Sequence, residues 1–572
     1  MKKSCIKALC CILVLAMALS ILGACGTGDE SVASSSAGTA VSTVEDSAVQ
    51  VPPAEETQIV PSQVESSAEE PTVSVQYPIT DGAVLTSWGS INANLASFMD
   101  SVSDNAVIQE VGKRTGVELK ATSVPSDVVS EQFSLMIAGG DYADLIDNVA
   151  SFYASKDAAV DDGILVDLAP YVQENAPDYY AVLSSDDAWL RMATTDSGYM
   201  PLFCMITENV NALTGSGYLI RQDWLDDLSL DMPTTRDELH DVLTAFKNEK
   251  NASAPMWFNS NGLGLIAEAS GVYANYEPMG GFYPFYVKDE TVCCGYFDDS
   301  FQDYLITMQK WFQEGLIWKD FMSDTFCFGI NSSNGLSLLS SGNMGVAYGE
   351  MTDISSLPQQ ATDTSMVLAA MPDPTLDGSP NHMSVSGSAV GYKHGISTAC
   401  KDIELACKYI NYFYTDEGYE LCSYGLEGQA FTYDDSGDKI YTELLTDNPN
   451  GLSYDNAFEI YCLSDFSCRV DGSRKLQLYD ETTLNASAVW SGCRDYAYNY
   501  PKGATLSAEE NEQFNSVFTD INTYVGESIL AFITGDLDIA AEWDNFQQTL
   551  KKMGIEDALA LKQTSYQRYI ER

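Results

Sequence analysis

The chain has 572 residues, of which 45% are hydrophobic and 11% are aromatic, enough for two or three domains with substantial cores. Its 29 basic and 82 acidic residues give a formal net charge of −53. A polyanion of this size repels nucleic acid and anionic lipid headgroups, so we expect no nucleic-acid partner.

The N-terminus carries the pattern of a secretory signal. Three lysines within the first seven residues precede an apolar run over 8–22, which is shorter than the roughly 20 residues of a membrane span. The run ends in Leu-Gly-Ala-Cys, which resembles the bacterial lipobox. This resemblance implies that 1–25 is a lipoprotein signal peptide and lipobox, and that Cys25 is lipidated and holds the chain at the extracellular face of the cell membrane. The alternative is an ordinary secretory signal with a chance cysteine.

Residues 26–76 differ in composition from everything that follows. They contain nine acidic residues, no Lys or Arg and no aromatic residue before Tyr77, with no sustained hydrophobic period. We therefore predict a disordered acidic tether between the anchor and the folded part.

Ten cysteines follow Cys25, and their spacings match no compact disulfide framework. Two readings stay open: that most are free and buried, as in an anaerobe, or that some are paired. The ten are Cys204, Cys293, Cys294, Cys327, Cys400, Cys407, Cys422, Cys462, Cys468 and Cys493.

Strands and helices alternate from Tyr77 onward. Strands are predicted at 84–88, 117–121 and 144–147, and helices at 105–115, ended by Gly116, and at 131–138, ended by the glycine pair 139–140. This rhythm indicates an α/β fold with a largely parallel sheet.

The second half of the chain contains several amphipathic helices. A strand at 217–221 precedes a capping box formed by Thr235 and Glu238, and a second box at Ser507 and Glu510 begins a helical region that runs with breaks to Arg572. Apolar stripes predict helices over 239–246, 301–312 and 403–413, the last ended by Gly418.

Two segments carry a family resemblance. Residues 218–225 (YLIRQDWL) and 233–239 (PTTRDEL) resemble a signature of family 1 extracellular solute-binding proteins, the lipid-anchored carbohydrate receptors of ATP-binding-cassette (ABC) importers. Segments 414–418, 424–428, 520–525 and 532–536 are similar to later parts of the same family, and the match is strongest to its long Gram-positive lipoprotein branch.

The resemblance implies a periplasmic-binding-protein-like type II fold, with two discontinuous α/β lobes and an interlobe cleft. By analogy the chain crosses between lobes near 218–221 and 384–389. Lobe 1 then comprises 77–218 and 385–437, and lobe 2 comprises 219–384 and 438–572. Arg221, Asp223 and Trp224 belong to the signature, and we interpret them as structural.

Metal and catalytic motifs are absent from the sequence. Some relatives carry an Asp- and Asn-rich loop that binds calcium, but the matching segment 248–255 has one carboxylate and a lysine, whereas calcium takes six to eight oxygens. None of the three histidines has a metal-ligand neighbour, and His240 is expected on a solvated helix face. We expect no metal, no cofactor and no enzyme activity; a glycoside hydrolase is a remote alternative.

A sugar site needs aromatic faces for the ring and polar side chains for the hydroxyls, placed at the carboxyl ends of strands. The candidates that meet this description are Trp88, Ser90, Asn92, Asp147, Asn148, Tyr153, Tyr283, Tyr348, Glu350 and Trp490. For each of them, core packing or loop capping is the competing interpretation.

The resemblance therefore implies a monomeric receptor that captures a mono- or oligosaccharide by hinge closure and delivers it to the permease subunits of an ABC importer. The alternative from another class is a surface lipoprotein of the same fold that presents ligand to a sensor kinase or adheres to polysaccharide.

Overall fold

The computed structural model describes residues 74–572, apart from 93–94, 96–97, 154, 213, 274, 278–280, 325–329, 331–332 and 384–387. The predicted signal peptide, Cys25, residues 26–73 of the tether and Cys327 lie outside the described residues. Four residues of the predicted second crossing, 384–387, also lie outside them.

Seventeen strands are described in this part of the chain. They are β1 (Ala83–Ile91), β2 (Val117–Pro125), β3 (Leu145–Ile146), β4 (Cys204–Glu208), β5 (Ser216–Arg221), β6 (Ala254–Trp257), β7 (Asn275–Glu277), β8 (Gly281–Tyr283), β9 (Phe285–Lys288), β10 (Thr291–Cys294), β11 (Met344–Glu350), β12 (Leu368–Met371), β13 (Val390–Tyr392), β14 (Gly395–Ile396), β15 (Phe431–Tyr433), β16 (Lys439–Tyr441) and β17 (Arg469–Asp471).

The α-helices of the described residues number twenty-one. They are α1 (Ala106–Thr115), α2 (Val129–Gly139), α3 (Val149–Phe152), α4 (Lys156–Asp161), α5 (Ala169–Asn175), α6 (Pro177–Leu183), α7 (Asp187–Ala193), α8 (Gln222–Leu228), α9 (Arg236–Glu249), α10 (Ser260–Ala269), α11 (Asp299–Gln313), α12 (Ser333–Ser340), α13 (Asp353–Gln360), α14 (Ile403–Asn411), α15 (Asp416–Tyr424), α16 (Glu443–Thr446), α17 (Tyr454–Tyr461), α18 (Glu481–Gly492), α19 (Ala508–Thr534), α20 (Ile539–Met553) and α21 (Ile555–Glu571). None of these helices combines the length and the apolar composition that a bilayer span requires.

Two sheets share the first core. The first sheet has the order β14-β3-β1-β2, with β1 parallel to both β2 and β3, and the second has the order β13-β4-β17. Leu85 and Leu119 of the first sheet and Ile206 and Val470 of the second are buried in one hydrophobic cluster, which we call the first core.

A third sheet forms the second core. Its order is β12-β5-β11-β6, with β11 parallel to β6 and antiparallel to β5. Ile220 and Val346 of this sheet are buried with Met308 of α11 and with Ile529 and Phe532 of α19, and we call this cluster the second core.

The chain passes between the cores three times: between β4 and β5, between β12 and β13, and after β17. The first passage precedes Ser216, and the crossings predicted near 218–221 and 384–389 stay predictions. Because β17 pairs with β4, this strand packs with the first core, although the predicted division placed 438–572 in lobe 2.

Local sequence signals explain most element ends. Asn105 caps α1 through its side chain, Gly116 ends it in a left-handed conformation, and both predicted capping boxes are present. The prediction that Gly418 ends a helix is wrong. Thr415 caps a new helix, α15, and Gly418 lies in its first turn, where an added Cβ would approach Tyr412 O to 1.9 Å.

Two further side chains test the sequence interpretation. Arg221 is 1% exposed, and its guanidinium contacts Asp223 at 2.6 Å and Asp363 at 2.8 Å, in keeping with the structural role assigned to it. His240 is half-buried instead of solvated, because its Nε2 lies 2.7 Å from Glu314 Oε2.

The described cysteines are all free thiols, and most of them are buried. The nine are Cys204, Cys293, Cys294, Cys400, Cys407, Cys422, Cys462, Cys468 and Cys493.

Candidate functional site

The carboxyl ends of β1 and β3 meet at one edge of the first sheet, because the two strands are parallel. Ser90 lies near the end of β1, and Asp147 and Asn148 follow β3 directly. The Asn148 side-chain amide donates a hydrogen bond to Ser90 Oγ at 3.2 Å, so the structure brings these predicted residues together. We call Ser90, Asn92, Asp147 and Asn148 the first edge.

Backbone geometry fixes the side chains of the first edge. The Asp147 backbone N–H donates to Trp88 O at 2.9 Å, and Asp147 Oδ1 accepts from the Asn148 N–H at 2.7 Å. Asn148 has a φ of +64°, a left-handed conformation that asparagine adopts more readily than most residues. The result is a tight turn that presents a carboxylate and an amide side by side.

Trp88 lies behind this edge. Its side chain is 8% exposed and packs 5.8 Å from the Phe133 ring, in a small cluster with Ile146 and Val149. The indole therefore supports the first edge from below, and little of its surface is open to a ligand.

Tyr153 follows α3 and is half-buried. Its hydroxyl donates to Asp162 Oδ2 at 2.7 Å, and burial together with this carboxylate raises the pKa of Tyr153 to about 12. The phenol stays neutral at physiological pH, with its O–H engaged and part of its ring open.

The third sheet presents a comparable edge. Parallel β6 and β11 end there, β5 begins there with Ser216, and β12 leads into it. The Tyr348 hydroxyl lies 2.8 Å from Ser216 Oγ, and Glu350 ends β11. We call Ser216, Tyr348, Glu350, Asp373 and Arg494 the second edge.

Burial shifts the acidity of this edge. It raises the pKa of Tyr348 to about 12. Burial and the nearby Asp353 raise the pKa of Glu350 to about 7, while Asp353 Oδ2 accepts the Glu350 backbone N–H at 2.8 Å. Glu350 can therefore donate or accept a hydrogen bond near neutral pH, depending on its protonation state.

An ion pair underlies the second edge. Arg494 contacts both carboxylate oxygens of Asp373, at 2.8 and 2.9 Å, and also donates to Ser216 O at 3.2 Å. The two side chains are 4% and 0% exposed. Sequence reasoning missed this pair, because 121 residues separate its members and neither sits in a motif.

Trp490 is buried beneath the second edge, beside Gly217, and Tyr283 has no described contact with either edge. Trp490 is 0% exposed, and its Nε1 lies 3.3 Å from Tyr218 O and 3.2 Å from Met371 O. In this structure neither face of the indole is open to a ligand. Tyr283 is half-buried, with its ring 5.1 Å from the Phe285 ring.

One cavity has walls from both sides of the molecule. Its volume is about 260 Å³, and we call it the shared cavity. The first-sheet side supplies Ala150, Tyr153, Ser155, Lys156, Asp157 and Thr195, and the side of the second core supplies Ala504, Thr505, Leu506, Asn511 and Lys562. Beside it Arg568 contacts Asp196 at 2.5 Å and Glu510 at 2.6 Å, so α21 is linked to the segment after α7.

A second cavity, of about 310 Å³, lies next to the first edge. Ser90 and Asn92 line it, together with Glu459 and Asp465 from the region around α17. Asn92 is thus exposed beside carboxylates. Within the described residues, no three His, Cys, Asp or Glu side chains are grouped as metal ligands would be.

Solved structures with a similar fold align over most of the chain at low sequence identity. A human-milk-oligosaccharide-binding solute-binding protein of Bifidobacterium longum infantis aligns with a TM-score of 0.69 at 18% identity, covering 86% of this chain and 99% of that one. The alginate-binding protein AlgQ2 aligns with a TM-score of 0.63 at 20% identity, covering 86% and 99%. The fold is thus the type II periplasmic-binding-protein-like fold, with two discontinuous α/β lobes.

Curated relatives are similarly distant. The chain is 24% identical over 376 residues to the polygalacturonan/rhamnogalacturonan-binding protein YtcQ of Bacillus subtilis, covering 63% of this chain and 69% of the relative. It is 22% identical over 497 residues to FusA of Streptococcus pneumoniae, a fructooligosaccharide ABC transporter substrate-binding protein, covering 82% and 87%. The family model for the bacterial extracellular solute-binding protein matches residues 98–420, more than half of the chain, and the chain belongs to this family.

Proposed function

We propose that the chain captures an oligosaccharide outside the cytoplasm for uptake by an ABC importer. The observation that carries this proposal is the shared cavity, whose walls come from both sides of the fold, since ligands of such folds bind between lobes. The printed names of YtcQ and FusA, a polygalacturonan-binding and a fructooligosaccharide-binding protein, support a carbohydrate as the solute.

The chemistry of the two edges suits sugar hydroxyls. Asp147 and Asn148 at the first edge, and Glu350 at the second, offer carboxylate and amide groups that pair with alternating donors and acceptors. A buried polar group left without its partner costs about 1–3 kcal/mol, so a fixed set of such groups selects one pattern of hydroxyls. Tyr153 adds partly covered aromatic surface, whereas the Tyr348 ring is 8% exposed and adds little.

Hinge closure is the mechanism we infer for capture. Three chain passages connect the two cores, so rotation of a few residues in these passages would open or close the space between the edges. We expect the permease subunits of the importer to bind the closed form, with the monomeric receptor held at the membrane by lipid on Cys25. No bond of the ligand is made or broken in this scheme.

Calorimetric titration of the full chain, solubilised in a neutral detergent, with a panel of mono- and oligosaccharides tests the proposal. We expect at least one saccharide to bind saturably with 1:1 stoichiometry, to raise the thermal midpoint and to change tryptophan fluorescence. Heat and thermal shift from another solute class, such as amino acids or peptides, with none from any saccharide would overturn it.

A further inference from the structure

The charge of the shared cavity is opposite to that of the chain. Acidic residues outnumber basic ones by 82 to 29 overall, yet the charged residues that line the cavity are two lysines and one aspartate. An anion is therefore favoured inside a cavity of a protein that otherwise repels anions.

Lys156 is the central cation of this cavity. It is the first residue of α4, and its Nζ lies 4.2 Å from the centroid of the Tyr392 ring. Among the described residues, no carboxylate oxygen lies within 4.0 Å of this half-buried ammonium, whereas the buried Arg221 and Arg494 are paired with carboxylates.

The position of Lys156 has an energetic cost. Burial lowers its pKa, because the ammonium loses water and the attraction of Asp157 and Asp196 does not make up for that loss. A buried charge is normally retained with a partner of opposite sign. An oxyanion of a ligand would supply that partner and offset the cost of burial.

Other polar groups around Lys156 suit a sugar that carries such an anion. From the opposite wall, the Lys562 ammonium lies 4.6 Å from the centroid of Phe514. Asp157 follows Lys156 in the chain and also lines the cavity, where it is the one carboxylate among the lining residues. Ser155 and Asn511 add neutral donors.

We propose that the shared cavity binds the anionic group of an acidic saccharide, a carboxylate or a sulfate, with Lys156 Nζ as the pairing cation. This inference rests on the proposed function and narrows its ligand class. The cavity is smaller than the roughly 300–1,000 Å³ of a typical ligand pocket, so we place one charged sugar unit there and the remainder of the ligand along the edges.

Matched pairs of ligands test the charge directly on the unaltered protein. Uronate di- to tetrasaccharides and their methyl esters form one arm, and sulfated disaccharides and their desulfated forms the other, all titrated by calorimetry into the full chain in a neutral detergent. We expect at least one acidic saccharide to bind about 10-fold or more tighter than its neutral counterpart. The arm that contains it identifies the anionic group as carboxylate or sulfate.

Substitution then tests the role of Lys156. Lys156→Met keeps the apolar stem over Tyr392 but removes the charge, and should weaken the acidic saccharide about 10- to 100-fold while changing its neutral counterpart by less than about twofold. Lys156→Arg should retain the preference. Lys401→Met, at an exposed lysine that does not line the cavity, is the matched control and should change neither affinity.

The outcomes separate this inference from the function beneath it. Neutral saccharides that bind as tightly as their acidic counterparts would overturn the anion site and leave the receptor function standing. An unchanged acidic affinity in Lys156→Met would overturn the role of Lys156. If no saccharide of either kind binds while another solute does, the proposed function fails, and this inference fails with it.

Discussion

The two edges occupy equivalent places, at the carboxyl ends of parallel strands, but they are built differently. The first edge is held by hydrogen bonds among Ser90, Asp147 and Asn148, of which Ser90 and Asn148 are half-buried and Asp147 is buried. The second edge is held by the buried ion pair between Arg494 and Asp373.

This difference predicts which property a substitution changes at each edge, the stability of the fold or the affinity for the ligand. Replacing a group in a neutral hydrogen bond changes stability by about 1 kcal/mol, whereas breaking a buried ion pair leaves a charge without compensation. We therefore expect substitutions at the second edge to act mainly on the free energy of unfolding. Substitutions at the first edge should act mainly on ligand affinity.

The largest effect is expected for Arg494→Ala. It leaves the fully buried Asp373 carboxylate without its partner, and should lower the free energy of unfolding by about 3–5 kcal/mol, measured by urea denaturation followed by circular dichroism. Lys113→Ala, which breaks an exposed pair with Glu110 at 3.1 Å, is the control and should cost no more than about 1 kcal/mol. Equal losses of unfolding free energy in the two variants would contradict the expected difference between a buried and an exposed ion pair.

Two glycines, one near each edge, test the difference between the edges through side-chain packing. A Cβ on Gly217 of β5 would come 2.5 Å from the Trp490 ring, whereas a Cβ on Gly89 of β1 would come 3.1 Å from Asp147 Cβ. Because Trp490 is fully buried and cannot move aside, Gly217→Ala should cost about 1–3 kcal/mol of stability.

Gly89→Ala serves as the counterpart in the first sheet. The Asp147 side chain needs to yield only by a few tenths of an ångström, so the cost should stay below about 1 kcal/mol. A larger loss at Gly89 than at Gly217, in the same denaturation assay, would show that the first edge is the more rigid of the two.

The second edge should also make stability depend on pH through Glu350. Its folded pKa of about 7 lies above the ordinary glutamate value of 4.5, so its stabilising contribution is complete below pH 4.5 and is lost as pH rises through 7. After allowance for solvent screening, we expect the parent to lose about 1–2 kcal/mol relative to Glu350→Gln between pH 4.5 and 8. If the free energies of unfolding of the parent and of Glu350→Gln change in parallel with pH, the raised pKa of Glu350 is disproved.

The smallest effect on stability is expected for Asn148→Gly. Its left-handed φ of +64° suits glycine, so Asn148→Gly should keep stability within about 0.5 kcal/mol, while Asn148→Ala should lose about 1–2 kcal/mol from backbone strain. Both variants remove the amide, and both should weaken binding of the saccharide found in the panel. Strong binding by either variant would remove Asn148 from the proposed site.

Local patterns in the sequence predicted the fold well where one segment carries the whole signal. The cap at Asn105, the glycine stop at Gly116 and the capping box of Thr235 depend on neighbours within a few residues. Gly418 misled the prediction because its role is to let the chain pack closely against Tyr412 O, which a helix-stop pattern does not distinguish.

The site was predictable only in part. Strand ends predicted Ser90, Asp147 and Asn148, which the structure brings together at the first edge. The sequence around an aromatic residue does not show whether its ring lines a cleft or fills a core. Trp490 is an example, because its ring is fully buried. The pairing of Arg494 with Asp373 depends on tertiary contact alone.

The free thiols have a consequence for the environments in which the fold can operate. Burial raises the pKa of Cys204, Cys407 and Cys462 to about 12, and those of Cys400 and Cys493 to about 11. Almost no thiolate is present at neutral pH, and the thiolate is the form that oxidants and disulfides attack. As far as these cysteines are concerned, the same native state should therefore persist in anoxic and in aerated surroundings, with no need for oxidative folding catalysts or protective reductants.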